Sequence, residues 1–214
     1  AKAGHLPIDA VEGAIDRAVE KGILLRPRSC IRRDPATFQP NNNTDERFLS
    51  TPVFTLQWHI TNACDLYCKH CYDRSERPSL NFDTAVRILD DLRTFCRSRQ
   101  VAGQVSFSGG YPFLYPKFPD LYRAAWERGF AIAILGNPVP RKQIEKLLLM
   151  QRPAFFQVSL EGLPEHNDAI RGHGHFERTI EFLHVLHELD VDSTVMLTLS
   201  RDNLNQVLPL AEML

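Results

Sequence analysis

The sequence predicts an α/β fold of parallel strands joined by right-handed helical crossovers, arranged as a barrel or an open sheet. Two observations carry that prediction. From residue 53 onward, five strand-like apolar runs alternate with amphipathic helical patterns. The unusual residues then recur at one point of every repeat, directly after the strand. Five units cannot close an eight-fold barrel, so any barrel built by this chain is partial.

Taken in order, residues 8–25 (IDAVEGAIDRAVEKGILL) show helical spacing that ends at Gly22. A stretch rich in Pro, Asn, Thr and charge follows over 26–52 and reads as a linker. The division expected is therefore an N-terminal helix and linker over 1–50 and a core over 51–214. Strands are expected at 53–60, 103–107, 130–135, 154–160 and 192–199. Helices are expected at 82–96, 118–129, 141–151, 176–189 and from about Asn203. In the first of these, Ala85, Leu89, Leu92 and Cys96 share one face and Asn81 stands at the N-cap position.

Parallel α/β folds place their ligand sites at the carboxyl ends of the strands. In this chain three cysteines follow the first strand and Ser108-Gly109-Gly110-Tyr111-Pro112 follows the second. Gly136-Asn137-Pro138 follows the third, Ser159-Leu160-Glu161-Gly162 ends the fourth, and Ser200-Arg201-Asp202-Asn203 follows the fifth. One rim therefore gathers the residues of interest.

Composition narrows the class. With 25 basic and 26 acidic residues, a net charge of −1 makes no global case for nucleic acid. The basic run at 26–33 (RPRSCIRR) reads as a solvated surface segment. No apolar run approaches a membrane span; residues 130–135 (FAIAIL) are strand-sized. The N-terminus lacks a secretory pattern and does not begin with Met, and the last residues lie inside a helical pattern, so a fragment of a longer cytoplasmic protein is expected.

Cys64, Cys68 and Cys71 fall within eight residues. A disulfide would strand the third thiol in a chain with no export signal. Zinc could take the three thiolates with His59 or His70 as a fourth ligand, although structural zinc more often uses two separated pairs. An iron–sulfur cluster held by three thiolates, with one iron open, satisfies the same spacing. Of the other cysteines, Cys96 reads as a core thiol and Cys30 has no assigned role. His173 and His175 read as loop residues, and His184 and His187 as surface or boundary positions of a helix.

The Cys-x3-Cys-x2-Cys spacing after a first strand resembles the radical S-adenosylmethionine (SAM) superfamily, a likeness running from about residue 53 to the end. His70 and Tyr72 flank the third cysteine as the family's aromatic or His positions do. Gly109-Gly110-Tyr111-Pro112 is similar to its Gly-Gly-Glu-Pro motif, and Ser159-Leu160-Glu161-Gly162 to its Ser-x-Asp/Glu-Gly motif. Residues 165–186 (EHNDAIRGHGHFERTIEFLHVL) resemble the helix-leading segment of the peptide-modifying, SPASM-type branch. The GGYP and GNPVP variants resemble a sub-group linked to thio(seleno)oxazole-modified peptides.

The resemblance implies a partial (β/α) barrel of the radical SAM type with a short N-terminal helical appendage. It implies a [4Fe–4S] cluster on Cys64, Cys68 and Cys71, with SAM on the open iron. The SAM contacts it implies are His70, Tyr72, Ser108, Gly109, Gly110, Tyr111, Asn137, Ser159, Glu161 and Arg171. Gly109 and Gly110 would let backbone approach the methionine moiety. Tyr111 stands where the family carries Glu, so backbone carbonyls would hold more of the SAM amino group. Arg171 would reach the SAM carboxylate, or else be a surface residue beside a helix start. The partners implied are a ribosomally made peptide and a one-electron reductant of the flavodoxin or ferredoxin type; a small-molecule substrate and a non-enzymatic zinc module are the alternatives. Residues 8–33, a helix followed by Arg26, Arg28, Arg32 and Arg33, resemble the end of the winged-helix domains that capture leader peptides, the alternative being a helix that packs under the barrel.

Overall fold

Large side chains form a continuous row across one face of a parallel sheet: Trp58 pairs with Phe107, Phe107 with Ile134, and Ile134 with Phe156. These come from a computed structural model that describes residues 8–21, 51–75 and 77–214. The chain divides into two units, Ala1–Leu49 and Ser50–Leu214. In the first, helix α1 spans Ile8–Glu20. The expected continuation over 22–25, the four arginines of 26–33, Cys30 and the linker as far as residue 50 lie outside the described residues.

The second unit contains strands β1 (Val53–Thr61), β2 (Ala102–Gly109), β3 (Ala131–Leu135), β4 (Phe155–Ser159) and β5 (Ser193–Met196). Its helices are α2 (Phe82–Arg99), α3 (Phe118–Glu127), α4 (Arg141–Leu148), α5 (Pro164–Arg171), α6 (His175–Glu188) and α7 (Val207–Met213). Every strand pairing is parallel, and the spatial order β1-β2-β3-β4-β5 follows the sequence. A doubly wound sheet would reverse its order at a switch point. The sequential order resolves the two arrangements in favour of a partial barrel, open between β1 and β5.

The period-two strand sets the chemistry of the two faces. Leu56, Trp58, Val105, Phe107, Ile132, Ile134, Phe156 and Val158 meet the helices and join one core with Leu89 and Leu92 of α2, Phe118, Leu121 and Tyr122 of α3, and Phe182 and Leu186 of α6. Phe107, Ile132, Ile134 and Phe156 are fully buried, each stabilising the fold by about 1.5–3 kcal/mol. The other face is more polar: Thr55, Gln57 and His59 of β1 stand opposite Gln104, Ser106 and Ser108 of β2.

Local signals act as expected in α2. Ala85, Leu89, Leu92 and Cys96 are its buried residues, and the Thr84 N–H donates to Asn81 Oδ1 at 2.8 Å, a cap worth about 1 kcal/mol. Two expectations are corrected. The segment read only as leading into a helix contains helix α5, eight residues long. His175 is no loop residue: it opens α6 and is 2% exposed, whereas His173 lies in the exposed turn. The reason is Asp168, which reaches from α5 to accept the N–H groups of Gly174 and Phe176 at 2.5 and 2.8 Å and caps α6 from outside it. His184 and His187 are exposed on α6, and Cys96 is buried.

Candidate metal and cofactor site

The cysteine loop leaves β1 and is sewn to the end of β2. The Gly110 N–H donates to Thr61 O at 2.8 Å and the Tyr111 N–H to Ala63 O at 2.7 Å. This close approach explains both glycines. A Cβ on Gly109, whose φ is +125°, would stand 2.2 Å from Thr61 O, and one on Gly110 would stand 2.3 Å from Ala63 O. The backbone they admit is therefore that of the cysteine loop itself.

Within the loop, Cys68 is buried, Cys64 half-buried and Cys71 exposed. Among the described residues, no three His, Cys, Asp or Glu side chains converge as a single metal ion requires. The donor set suits a different group: three soft thiols on one loop that need only reach three separate irons. Burial pushes the Cys68 thiol up, the Arg171 cation opposes this, and Cys64 and Cys71 add to it, so the three sulfurs and Arg171 share one electrostatic environment. The loop closes on itself through the Cys71 N–H, which donates to Cys68 O at 3.1 Å, and through Arg74, which donates to the same carbonyl. Asp73 is held by the Ser75 side chain and backbone and by Arg77, and its carboxyl lies at about 2.

Glu161 is the hub that braces this loop from β4. Its side chain is 1% exposed, and a carboxylate so buried requires partners on every side. Arg171 supplies two donors to Oε1, Nε at 2.9 Å and Nη2 at 2.5 Å, while the Thr198 N–H donates to Oε2 at 3.1 Å. His70 Nε2 lies 3.3 Å from Oε1. The backbone is held as well: the Glu161 N–H donates to Asn167 Oδ1 at 3.1 Å, and Asn203 Nδ2 donates to Glu161 O at 2.9 Å. The remaining Arg171 nitrogen, Nη1, stands 3.8 Å from Cys68 Sγ, and the Lys69 N–H donates to Ile170 O at 2.9 Å. The cysteine loop, the end of β4, the C-terminus of α5 and the residues after β5 are thereby one connected body. Arg171 is thus turned to the site rather than lying on the surface.

The other expected residues are distributed unevenly. Asn137, after β3, donates from Nδ2 to Asp65 Oδ1 at 2.6 Å and stands 3.6 Å from Cys64 Sγ. Ser108 and Ser159 lie at the ends of β2 and β4, buried and half-buried. Tyr72 is 84% exposed, its hydroxyl 3.3 Å from the His59 ring nitrogens. Tyr111 is 7% exposed and packs on Phe113 in the core; its hydroxyl donates to Pro138 O at 3.4 Å, and burial holds the phenol well above its ordinary pKa.

Sequence reasoning missed Asp65, Asn167, Asp168 and Thr198. Asn167 is wholly buried and bonded on all sides, to the Glu161 N–H, to Asp168 and to His175. Only the run of polar residues between two strand-end motifs could have signalled that Asn167 and Asp168 are drawn into the fold; Asp65 is exposed, and Thr198 contributes only its backbone N–H.

Comparison with known proteins follows the same geography. The sequence model of the radical SAM superfamily matches residues 58–214. The chain is 28% identical over 157 residues to the Fe-coproporphyrin III synthase of Methanosarcina barkeri, covering 70% of this chain and 38% of that protein. It is 29% identical over 169 residues to the mycofactocin maturase MftC of Mycolicibacterium smegmatis, covering 76% and 41%. Among solved structures, Streptococcus suis SuiB bound to precursor peptide SuiA superposes with a TM-score of 0.62 at 17% identity, covering 96% of this chain and 50% of that one. The chain thus spans about two fifths of the length of the curated relatives it matches.

Proposed function

The chain belongs to the radical SAM superfamily, whose members use a [4Fe–4S] cluster and SAM, and on that premise we propose that it carries the catalytic core of a peptide-modifying enzyme. The observation that bears most weight is the cysteine loop, sewn to the Gly109-Gly110 turn and braced by Glu161 and Arg171. Cys64, Cys68 and Cys71 would ligate three irons, leaving the fourth for SAM. When bound, this pair supplies a 5′-deoxyadenosyl radical that abstracts hydrogen from the substrate.

The residues of the chain bind, orient and screen. Arg171, with one face spent on Glu161, keeps Nη1 for an anionic group beside Cys68, which suits the SAM carboxylate. Ser159 and Asn137 flank the same rim from β4 and β3. The polar face of the sheet, with Gln57, His59, Gln104 and Ser106, offers hydrogen-bonding groups to a substrate. No helix among the described residues is long and apolar enough to cross a membrane.

A ribosomally made peptide is the substrate class favoured, because relatives include the maturase MftC and the sporulation killing factor maturation protein SkfB of Bacillus subtilis. Residues 8–33 would contribute to its capture, and a reductant of the flavodoxin or ferredoxin type would supply the electron. A small-molecule substrate is the second reading, favoured by the likeness to Fe-coproporphyrin III synthase.

Anaerobic reconstitution tests the core of the proposal. About four irons and four sulfides should bind per chain. Cys64→Ala, Cys68→Ala and Cys71→Ala should each abolish loading, while Cys96→Ala keeps it. Stoichiometric zinc without iron would overturn the reading. In the intact protein, deleting residues 1–50 should weaken peptide binding and spare peptide-independent SAM cleavage; unchanged peptide affinity would remove the recognition role.

A further inference from the structure

Among the described residues, three carboxylates lie in or against the cysteine loop: Asp65, Asp73 and Glu161. Two are fully committed. Glu161 spends Oε1 on Arg171 and His70 and Oε2 on the Thr198 N–H. Asp73 spends Oδ1 on Ser75 and Oδ2 on Arg77 and Asn62. Asp65 differs. Its Oδ1 accepts from Asn137 Nδ2 at 2.6 Å and lies 4.0 Å from Cys64 Sγ, while Oδ2 has no partner among the described residues.

Its position makes that free oxygen useful. Asp65 follows the first cysteine, and Asn137 holds it from across the gap, at the end of β3. The side chain is exposed at the rim, beside Cys64 Sγ and under the Asn137 amide, so its second oxygen is open to a ligand there. The amino-acid end of SAM carries two groups that need partners, a carboxylate and an amine. Arg171 suits the first. An amine bound beside the cysteines offers N–H donors, and a carboxylate is their strongest side-chain acceptor. Tyr111 is the poorer acceptor, because a neutral phenol is weaker than a carboxylate and this one is buried against Phe113.

We propose that Asp65, held in place by Asn137, is the acceptor for the α-amino group of SAM in this protein. The proposal rests on the radical SAM reading above and names the residue that recognises one functional group of the ligand. Asn137 is then a positioning residue: it fixes one oxygen of Asp65 so that the other is presented to the ligand.

The test pairs Asp65→Asn with a SAM analogue that lacks the α-amino group but keeps the sulfonium and carboxylate. Affinities of both ligands are measured by anaerobic calorimetry on protein of verified iron content. Asp65→Asn keeps the side chain's size and should weaken SAM by about tenfold while leaving the analogue's affinity unchanged. Equal losses for the two ligands, or no loss for SAM, would overturn the assignment. Iron-loaded wild-type protein that binds no SAM would overturn this proposal and the radical SAM reading together, an outcome separate from either of those. If Asp65→Asn fails to load iron, Asn137→Ala replaces it. A loss of about threefold for SAM alone then supports the assignment, and a parallel loss for both ligands refutes it.

Discussion

Replacing Glu161 by Gln removes one negative charge from the most connected side chain of the site and changes little else in size. In the folded protein the carboxylate faces the Arg171 guanidinium at 2.5 and 2.9 Å, and Arg171 itself is only 12% exposed. Gln offers one oxygen and one NH2 where two oxygens stood. If the oxygen faces Arg171, the NH2 meets the Thr198 N–H donor, previously satisfied at 3.1 Å; if it faces Thr198, the NH2 meets the guanidinium. Either way a donor opposes a donor, and the Arg171 charge stays buried without a counter-charge. Removing one partner of a buried pair costs about 3–5 kcal/mol. His70, 36% exposed, adds little to that figure because water already serves it. For a unit of this size each kcal/mol lowers Tm by about 2–4 °C, so Glu161→Gln should fall by about 6–20 °C. Calorimetric unfolding of the cluster-free protein at neutral pH reads this directly. A Tm within about 2 °C of wild type would refute the account of Glu161 as the brace of the cysteine loop.

Two further outcomes follow from other contacts. Gly110→Ala puts a methyl 2.3 Å from Ala63 O and 2.6 Å from Asn62 O, both backbone atoms that cannot yield singly, so it should cost about 2–4 kcal/mol and reduce iron retention; a variant with wild-type Tm and iron content would contradict it. His175 is buried, with Arg171 and Arg178 adding to the cost of charging it and Asp168 and Asp65 opposing, and its ring lies at about 4 against an ordinary 6.5. Because the unfolded chain takes up a proton that the folded chain refuses, the neutral ring's contribution is fully present above about pH 6.5 and drains away as pH falls towards 4, by up to about 3 kcal/mol. Urea unfolding between pH 7.5 and 4.5 should show this slope, and His175→Gln should flatten it; an equal slope in both proteins would remove His175 as its source.

How much of this was legible in the sequence depends on where the information lies. The five strands and the helices α2, α3, α4 and α6 were readable because apolar spacing is a local property, and Asn81 was readable as a cap because capping is completed within three residues. Helix α5 was not readable. Its sequence, PEHNDAIR, has little apolar content, and it persists because Asn167 is buried against the Glu161 backbone and Asp168 caps the next helix.

The three cysteines, the paired glycines and the alternation of elements belong to the sequence alone, since each is a matter of residue type and spacing. Tertiary structure decided the rest. It chose a sequential strand order over a doubly wound one, because pairing partners are set by packing between distant segments. It turned Tyr111 into the core, made the cysteine loop the neighbour that Gly109 and Gly110 admit, and joined Glu161 to Arg171, His70 and Thr198. A buried charge must find its partners wherever the fold brings donors together, and no spacing along the chain records which donors those will be.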